Sequence, residues 1–504
     1  MSSETRSGDE RRAEVRERHR ETAEQVVPDN TGLYIGGEFV EPAEGGTIDT
    51  IDPTTGEVLA SVGGATAADI DRAVEAAWDA YESTWSGYSA GKRQRVLLDI
   101  ADAIDEHSGE LAQLESLDNG KPVSESGADV YLAADHFRYF AGIVRGNAGS
   151  TMNEDSRLGQ VLKEPYGVVG QIIPWNFPLL MASWKLAPAL AAGNCSVLKP
   201  AEQTPLSALR LAELIDDVVP DGVVNIVPGY GEEAGPPLTG HEDVRKVAFT
   251  GSTAVGKQVM KSAADNVTDV TLELGGKSPV VVHPDVDPEK AVRLVSQAIF
   301  YNTGECCEAG SRLFVHDDIA DDVLSGLAAA VEDMNVGDPL LRETDLGPKV
   351  SREQVDRTLD YLDRAEAGGG RFLAGGGVPD DDGLADGCYV EPTLVEGLDH
   401  DHEAVQEEIF GPVLDVFRWD DYDEMMALAN DVDYGLAGGV VTDDMDAADR
   451  TARDIEAGYI WVNTYHDLVA GLPFGGYKQS GIGRELSEET LDHYQQTKTI
   501  NRSR

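Results

Sequence analysis

Cysteine is scarce in this 504-residue chain, which contains four: Cys195, Cys306, Cys307 and Cys388. A disulfide framework for so long a chain would need more cysteines, and a bond between the adjacent Cys306 and Cys307 would close a strained ring. The sequence therefore predicts free thiols and a reducing, cytoplasmic environment.

Basic residues are also few, with 40 Lys and Arg against 92 Asp and Glu, which gives a formal net charge of −52 at pH 7. A field of this sign repels nucleic acid and anionic membranes, so neither is an expected partner. The acids are spread through polar segments such as 380–382 and 443–446, which favours a solvated acidic surface over an acidic tail. An acidic bias that is distributed so evenly suggests a cytosol rich in salt, because salt screens the repulsion between the protein's own negative charges.

Long uninterrupted apolar runs, internal repeats and low-complexity linkers are missing too. Residues 1–30 are highly charged and contain no apolar segment, so we expect no signal peptide but a frayed helical or disordered, flexible extension. The most apolar stretch, 168–198, predicts buried structure of a soluble protein rather than a membrane span. Its apolar character is interrupted by Pro174, Asn176, Pro178, Lys185, Pro188 and Asn194.

What the chain does contain is an alternation of helical and strand-like segments. A long amphipathic helix is expected over 93–117. Short apolar runs separated by helices predict a parallel, doubly wound sheet, which would bind a nucleotide at the carboxyl ends of its strands. A second α/β region is expected over 287–462, with the domain boundary near 275–285, and the polar chain end is short enough for an edge strand. The strand-like runs are 168–173, 195–198, 223–227, 242–249, 270–274 and 279–282.

Two segments in the first region have the residue types that bind a nucleotide. In 249–257 a strand runs into a glycine turn and then a helix, whose free N–H groups would suit a phosphate. The glycine spacing is not that of the usual dinucleotide motif, so an ordinary strand-to-helix turn remains an alternative. Lys199 and Glu202 follow another strand end, where a carboxylate would accept hydrogen bonds from ribose hydroxyls, or would simply be solvated.

Three further segments carry reactive or polar groups. Glu273 lies among apolar residues before a Gly-Gly bend, as either a paired carboxylate or a base. Cys306 and Cys307 lie in a loop of small residues that leaves room for a substrate. Asn176, between aromatic residues and prolines, would be either a rigid hydrogen-bond donor or a residue that caps the backbone of a packed loop.

Together, these segments resemble the aldehyde dehydrogenase superfamily from about Tyr34 to Ile500. The resemblance implies an α/β fold with a Rossmann-like doubly wound cofactor domain (31–146 and 166–277), a second α/β catalytic domain (278–489) and a small β oligomerisation arm (147–165 and 490–504). The matching stretches are PWNFP (174–178), KPAEQTP (199–205), FTGSTAVG (249–256), LELGGKSP (272–279), AGSR (309–312), EEIFGPV (407–413) and PFGGYKQSGIGREL (473–486).

The resemblance also implies roles for single residues. Cys307 is the nucleophile, because it ends the stretch that matches the family's Gly-Gln-x-Cys pattern. Glu305 takes the Gln position of that pattern, and this second carboxylate is expected to raise the pKa of the thiol. Asn176 and the backbone N–H of Cys307 are implied as the oxyanion donors and Glu273 as the general base. Lys185 and Glu485 are implied as a proton-relay pair.

The cofactor and substrate contacts follow in the same way, and no metal is expected. Glu202 favours NAD, because its carboxylate would meet the 2′-phosphate of NADP, although Lys199 leaves NADP use open. The substrate channel is mostly apolar, which suits a broad range of aliphatic or small polar aldehydes. Trp184 and Phe474 would also form part of a cage for a quaternary ammonium aldehyde. The implied cofactor contacts are Ile172, Trp175, Lys199, Glu202, Gly251, Ser252, Gly256, Leu274, Glu408 and Phe410. The implied substrate contacts are Phe177, Met181, Trp184, Leu468 and Phe474.

The reaction that the resemblance implies is oxidation of a small-molecule aldehyde to its carboxylic acid, with reduction of NAD(P). A catalytically silent relative that only binds the cofactor is one alternative, and intact Cys307, Glu273 and Asn176 weigh against it. The branch that transfers its acyl group to coenzyme A is another, but that branch lacks the base at the Glu273 position. A homodimer or homotetramer is the assembly expected from the family.

Overall fold

The computed structural model describes residues 7–503. Its helices are α1 (Gly8–Val26), α2 (Ala67–Ser83), α3 (Ala90–Glu106), α4 (Ser108–Asn119), α5 (Val123–Ile143), α6 (Pro178–Ala192), α7 (Leu206–Ile215), α8 (Gly231–Thr239), α9 (Thr253–Ala264), α10 (Pro288–Phe300), α11 (Asp317–Asp333), α12 (Arg352–Ala367), α13 (Glu403–Gln406), α14 (Tyr422–Asn430), α15 (Met445–Asp454) and α16 (Glu488–His493). Short 3-10 turns occupy Trp85–Gly87, Tyr301–Gly304 and Asp382–Leu384.

The strands are β1 (Leu33–Ile35), β2 (Glu38–Val40), β3 (Gly46–Ile51), β4 (Val58–Gly64), β5 (Ser150–Glu154), β6 (Arg157–Pro165), β7 (Val168–Ile172), β8 (Cys195–Lys199), β9 (Val224–Ile226), β10 (Lys246–Thr250), β11 (Asp269–Glu273), β12 (Pro279–Val282), β13 (Arg312–His316), β14 (Arg371–Ala374), β15 (Thr393–Glu396), β16 (Val413–Trp419), β17 (Tyr434–Gly435), β18 (Ala437–Val441), β19 (Tyr459–Val462), β20 (Tyr477–Lys478), β21 (Gly481–Ile482) and β22 (Gln495–Ser503).

The first large sheet has the strand order β2-β1-β9-β8-β7-β10-β11-β21. Its five central strands, from β9 to β11, are parallel, so the predicted doubly wound sheet is confirmed. The register pairs Ile172 with both Lys199 and Phe249, and Thr250 with Glu273. The carboxyl ends of these strands therefore lie side by side, at the edge where parallel α/β sheets bind ligands.

The second large sheet has the order β14-β15-β16-β13-β12-β18-β19, with every neighbouring pair parallel except β14 and β15. The loop that contains Cys307 enters β13, and the segment that contains Glu408 enters the adjacent β16. The amino ends of these two strands thus bring both segments towards the carboxyl edge of the first sheet. The predicted second α/β region is confirmed.

The division between the two sheets is not a single point in the chain. The first sheet ends with β11 and the second begins with β12, close to the boundary expected near 275–285. However, β21 lies within 278–489 and returns to the first sheet, where it pairs antiparallel with β11. Gly481 makes this close pairing possible, because a Cβ at that position would lie 2.1 Å from the carbonyl oxygen of Leu272.

The expected β arm is a three-stranded antiparallel sheet in the order β22-β6-β5. All of β5 and most of β22 are exposed. Residue 504 of the predicted arm lies outside the described residues.

The charged N-terminal segment is ordered from Ser7 onward, which corrects the expectation of a frayed or disordered extension; its residues 1–6 lie outside the described part. Helix α1 begins with a capping box between Ser7 and Glu10. His19 is buried, with its ring nitrogens 2.7 Å from Asp52 and 2.9 Å from Asp338. Composition could not reveal this anchoring, because both carboxylates lie far away in the sequence.

The helix expected over 93–117 is instead two helices, α3 and α4. His107 separates them with φ −111° and ψ 16°, before the weak helix formers Ser108 and Gly109. The predicted end of the second helix near Asn119 is confirmed, since Gly120 follows with φ 96°.

The apolar stretch 168–198 contains β7, α6 and most of β8, and every residue of α6 is buried. Across residues 7–503, no helix is both long and apolar enough to span a bilayer.

Candidate active site

A cavity of about 1070 Å³ lies between the carboxyl edge of the first sheet and the amino ends of β13 and β16. Most of the residues that the sequence nominates line it, although they come from segments as far apart in the chain as Ile172 and Phe474. Gly256, Lys185 and Glu485 are not part of the lining. The predicted residues that line the cavity are Cys307, Glu273, Asn176, Ile172, Trp175, Lys199, Glu202, Gly251, Ser252, Leu274, Glu408, Phe410, Phe177, Met181, Trp184, Leu468 and Phe474.

The two adjacent cysteines have different surroundings. Cys306 is 3% exposed, whereas Cys307 is partly exposed and lines the cavity. Their loop follows two residues in the left-handed region, Asn302 with φ 51° and Thr303 with φ 56°, and then Gly304. A Cβ at Gly304 would lie 2.3 Å from the carbonyl oxygen of Gly411, so only glycine fits this close approach. The geometry thus presents Cys307 to the cavity.

Two glycines after β11 bring the first sheet against the cysteine loop. A Cβ at Gly276 would lie 2.4 Å from the carbonyl oxygen of Cys307, and one at Gly275 would lie 2.3 Å from Oε2 of Glu408. The N–H of Gly276 donates to Oε1 of Glu408 at 3.0 Å. The Gly-Gly bend therefore holds three segments together, and a larger side chain at Gly276 would collide with the backbone of the cysteine loop.

Glu273, at the end of β11, is 4% exposed and faces the same cavity. Within residues 7–503, neither of its carboxylate oxygens has a hydrogen-bond partner. Burial raises the pKa of this carboxyl well above its usual range, and the charge of Glu485 adds to the increase while Lys185 and Arg484 oppose it. A buried, unpaired carboxyl with a raised pKa has the properties of a general base.

Asn176 is 3% exposed and is fixed through both its side-chain amide and its backbone carbonyl group. Its Nδ2 donates to the carbonyl oxygen of Glu305 at 2.9 Å, and its own carbonyl oxygen accepts from Lys121 Nζ at 2.8 Å and from Asn302 Nδ2 at 3.0 Å. The carboxamide is therefore held directly against the cysteine loop.

One end of the cavity has the groups expected to hold adenosine and phosphates. Lys199 Nζ lies 3.5 Å from Glu202 Oε2, and burial lowers the pKa of Lys199. Ser252 caps α9, whose first turn points its N–H groups towards this end. A Cβ at Gly251 would lie 2.7 Å from the ring of Phe249. Gly256 acts indirectly, because a Cβ there would lie 2.4 Å from Leu274, which does line the cavity.

The expected nicotinamide end is formed by Trp175, Glu408 and Phe410. The rings of Trp175 and Phe410 meet edge to face, with centroids 5.2 Å apart. Phe410 has a left-handed backbone, with φ 63°, and its carbonyl oxygen accepts from Lys349 Nζ at 2.6 Å. Burial raises the pKa of Glu408 to about 7, although the N–H of Gly276 opposes this increase.

The other end is a mostly aromatic channel. Trp184 contacts Phe474 with ring centroids 5.4 Å apart, and Phe177 stacks on Tyr301 at 6.2 Å. Met181 and Leu468 complete the expected set, and all five predicted substrate contacts line the cavity. The cavity thus joins a polar, helix-capped end to an apolar end, with Cys307 and Glu273 on its wall.

Comparison with known proteins identifies this arrangement, since residues 39–500 match the aldehyde dehydrogenase family. The chain belongs to that family. It is 48% identical over 479 residues to an acetaldehyde dehydrogenase of Pseudomonas aeruginosa, a match that covers 93% of this chain and 94% of that protein. The NAD+ complex of an aldehyde dehydrogenase from Bacillus cereus superposes with a TM-score of 0.93 at 44% identity, covering 95% of this chain and 98% of that chain.

A betaine aldehyde dehydrogenase from Staphylococcus aureus, also solved with NAD+, gives a TM-score of 0.94 at 42% identity and covers 96% of this chain and 97% of that chain. The family and fold that the motifs predicted are therefore confirmed.

Glu305, the residue that departs from the aldehyde dehydrogenase pattern, is paired with Lys349, whereas the thiol of Cys307 contacts Glu308. Its Oε1 lies 3.1 Å from Lys349 Nζ, and its Oε2 accepts from the N–H of Val350 at 3.2 Å. Burial raises the pKa of Glu305 to about 6, while Lys349 opposes the increase. Because the side chain is neutralised by Lys349, the expectation that Glu305 raises the pKa of Cys307 was wrong.

The carboxylate that does meet the thiol is Glu308, which the sequence reasoning missed. Cys307 Sγ lies 3.0 Å from Glu308 Oε2. Burial raises the pKa of Cys307 well above its usual range, and the charge of Glu308 and its hydrogen bond contribute next. The signal was present in the sequence, since Glu308 directly follows Cys307, but it does not show which way the side chain turns.

His466 and Tyr301 are two more residues of the aldehyde dehydrogenase cavity without an assigned role. Their rings are tilted against each other with centroids 4.8 Å apart, and His466 Nδ1 lies 3.5 Å from Glu308 Oε1. Tyr301 OH donates to Asp129, which is also paired with Lys121 Nζ at 2.6 Å. These contacts join three distant segments, and local patterns in the sequence do not predict them.

Proposed function

We propose that this aldehyde dehydrogenase oxidises an aldehyde to the carboxylic acid with NAD+, using Cys307 as the nucleophile and Glu273 as the general base. The observation that supports the proposal most directly is their placement: a partly exposed thiol and a buried carboxylate without partners among the described residues line one cavity. The cavity also has a polar end suited to a dinucleotide and an apolar end suited to the aldehyde.

The residues at the polar end fit a dinucleotide. The capped amino terminus of α9 offers N–H groups and a favourable dipole to the phosphates. Gly251 allows the close approach of backbone and ligand that a side chain would block. Glu202 is placed to accept hydrogen bonds from ribose hydroxyls, and Trp175, Glu408 and Phe410 would orient the nicotinamide ribose and ring.

In the proposed reaction, the thiolate of Cys307 attacks the carbonyl carbon and forms a thiohemiacetal. Asn176 Nδ2 and the backbone N–H of Cys307 stabilise its oxyanion, each donor typically contributing about 3–4 kcal/mol. When bound, the nicotinamide supplies the acceptor for the hydride that leaves the substrate carbon. The product on the enzyme is then a thioester of Cys307.

Glu273 completes the cycle by taking a proton from a water molecule, which attacks the thioester and releases the acid. Burial, which raises the pKa of Glu273, makes this carboxylate a stronger base than an exposed one. Lys185 and Glu485 lie outside the cavity lining and would carry the proton away from Glu273.

Hydrolysis is favoured over acyl transfer to coenzyme A because this base is present. The experiment is to follow NADH absorbance with an aldehyde panel, with and without coenzyme A. We expect formation of the free acid at a rate that does not depend on coenzyme A. Strict dependence on coenzyme A would contradict the proposal, and a chain that forms no NADH with any aldehyde would be a silent relative.

NAD+ is proposed as the preferred cofactor because the adenosine end of the cavity is acidic. Glu202, Glu232 and Glu233 all line it, and their charges would repel a 2′-phosphate. Lys199 faces the same end but already lies 3.5 Å from Glu202, which lowers its availability for NADP.

The proposed substrates are aliphatic or small polar aldehydes. One relative is named an acetaldehyde dehydrogenase and another a betaine aldehyde dehydrogenase, so the names alone do not decide the class. Trp184, Phe474 and Tyr459 form a chain of ring contacts at 5.4 and 5.7 Å, which would provide part of a cage for a quaternary ammonium group. The nearby carboxylate of Asp129 is already paired with Lys121, which favours uncharged substrates.

We further propose a cytoplasmic, salt-adapted homodimer or homotetramer. All four cysteines are free, which suits a reducing compartment. The net charge of −52 suits a salt-rich compartment, because salt screens the repulsion between like charges. The exposed strands β5 and β22 leave a sheet available for pairing with a second copy. Sedimentation at low and high salt would test the assembly and its dependence on screening.

A further inference from the structure

Glu308 is held in place beside the nucleophile by several contacts. Its side chain is 6% exposed, with Oε2 3.0 Å from Cys307 Sγ and Oε1 3.5 Å from His466 Nδ1. Its carbonyl oxygen accepts from Tyr465 OH at 2.7 Å. His466 is itself bound through Nε2 to the carbonyl oxygen of Ala298 at 3.2 Å. The carboxylate is therefore fixed in its position against the thiol.

This contact favours one protonation state of Cys307. A protonated thiol donates its hydrogen to the carboxylate, whereas a thiolate would place a second negative charge about 3 Å from the first. The titratable groups around the thiol are mostly acids, so few of them would offset that repulsion. They are Cys306, Glu273, Glu308, Glu408, Tyr465 and His466.

Glu308 itself stays ionised beside the thiol. Burial alone would raise its pKa, but the hydrogen bond and charge of His466, with hydrogen bonds from Cys307 and Cys306, outweigh it and lower the pKa. Transfer of the thiol proton to Glu308 is therefore unfavourable, and the carboxylate acts as an acceptor of a hydrogen bond and not as a base.

We propose that Glu308 holds Cys307 as a protonated, weakly reactive thiol in the free enzyme, and so sets the pH above which the nucleophile can react. The proposal rests on the proposed role of Cys307 as nucleophile. Ionisation breaks the S–H bond and releases the proton to solvent through the cavity, and the thiolate keeps the electron pair. The same contact protects the thiol from oxidants, because the thiolate is the form that they attack.

The test is the substitution Glu308→Gln, which keeps the size of the side chain and an oxygen that accepts a hydrogen bond but removes the charge. The rate of alkylation of Cys307 by iodoacetamide is measured against pH in the cofactor-free protein, with the labelled residue identified by mass spectrometry. We expect the midpoint to fall by about one pH unit or more, which corresponds to an approximately tenfold larger thiolate fraction near neutral pH. The pH profile of kcat/KM should move in the same direction.

Two variants make the test specific. Glu305→Gln removes a carboxylate from the same loop, but one paired with Lys349, and should leave the midpoint close to that of the wild type. Glu308→Asp keeps the charge, so it should restore most of the alkaline midpoint. Equal midpoints in Glu308→Gln and the wild type would overturn the proposal, as would a wild-type midpoint at or below that of an ordinary thiol.

If Glu308→Gln does not fold, a wild-type midpoint at or below that of an ordinary thiol would still overturn the proposal. Alkylation requires neither aldehyde nor cofactor, so it is independent of the proposed reaction. An enzyme that shows the shifted midpoint but forms no NADH would contradict the proposed function alone. An active enzyme with unshifted midpoints would contradict only the role of Glu308.

Discussion

Lys185 and Glu485, 300 positions apart in the sequence, form a buried ion pair with Nζ 2.5 Å from Oε1. The pair lies close enough to Glu273 for both charges to act on the pKa of that carboxyl, Glu485 raising it and Lys185 lowering it. Burial is the largest cause of the raised pKa of Glu273, and the charge of Glu485 is the second. The proposed base therefore lies beside a buried ion pair, which is the proposed proton relay.

This arrangement predicts that Glu273→Gln separates acylation from deacylation. The variant should still form one equivalent of NADH per site in a rapid burst, because Cys307 is intact. Steady-state turnover should fall by about 100-fold or more, the usual contribution of a general base. Stopped-flow absorbance at the NADH band measures both phases. An unchanged steady-state rate would show that another group activates the water.

A matched pair of substitutions should distinguish the roles of the two adjacent cysteines, Cys306 and Cys307. Cys307→Ser should abolish NADH formation, since a serine hydroxyl ionises far less readily than a thiol in the same place. Cys306→Ser should retain most of the activity, because Cys306 is buried and does not line the cavity. Steady-state rates of both variants, with melting temperatures to confirm folding, provide the measurement. Loss of activity in Cys306→Ser alone would reverse the assignment.

The ends of the central strands could be predicted from the sequence because they depend on local pattern. Apolar runs ending near Ile172, Lys199, Thr250 and Glu273 are continuous in the chain, and parallel pairing then brings their ends to one edge. The choice of Cys307 over Cys306 as nucleophile depended on the family pattern and stays a prediction; the structure shows that Cys307 is partly exposed and Cys306 is buried.

Contacts between distant segments could not be predicted in this way. Lys349, which neutralises Glu305, lies in a loop with no periodic pattern, so the sequence alone left Glu305 as an apparent neighbour of the thiol. The orientation of Glu308 depends on His466, some 160 positions later. His19 gave no signal either, since its carboxylate partners come from before β4 and after α11.

Cofactor choice should depend on Glu202. Replacing it with Gln removes the charge that would repel a 2′-phosphate and frees Lys199, 3.5 Å away, to pair with that phosphate. We expect kcat/KM for NADP to rise at least tenfold relative to NAD, a change of about 1.4 kcal/mol. Glu232→Gln is the matched control, as Glu232 lines the same end without pairing to Lys199. Equal effects of both variants would indicate a general effect of charge and would contradict a specific role for Glu202.

The anchoring of α1 should make stability depend on pH through His19. Burial alone would lower the pKa of His19, but the hydrogen bonds and charges of Asp338 and Asp52 outweigh it and raise the pKa to about 9 from an ordinary 6.5. A pKa raised in the folded state stabilises the fold fully below the unfolded pKa, and this contribution is lost as the pH rises through the folded pKa. The contribution of about 3 kcal/mol, at 1.36 kcal/mol per pH unit, should therefore be present near pH 6 and absent near pH 10.

The measurement is the difference in melting temperature between the wild type and His19→Gln from pH 6 to pH 10. This difference in melting temperature should be largest at pH 6 and should decrease towards pH 10. At high pH the wild-type His19 loses its proton, so both proteins lack the positive charge at this position. Arg20→Gln, which breaks an exposed contact of the same helix with Glu57, should instead give a small difference that does not change with pH. A difference for His19→Gln that stays constant over this range would show that His19 is not protonated in the folded protein, and that α1 is held by its arginine pairs instead.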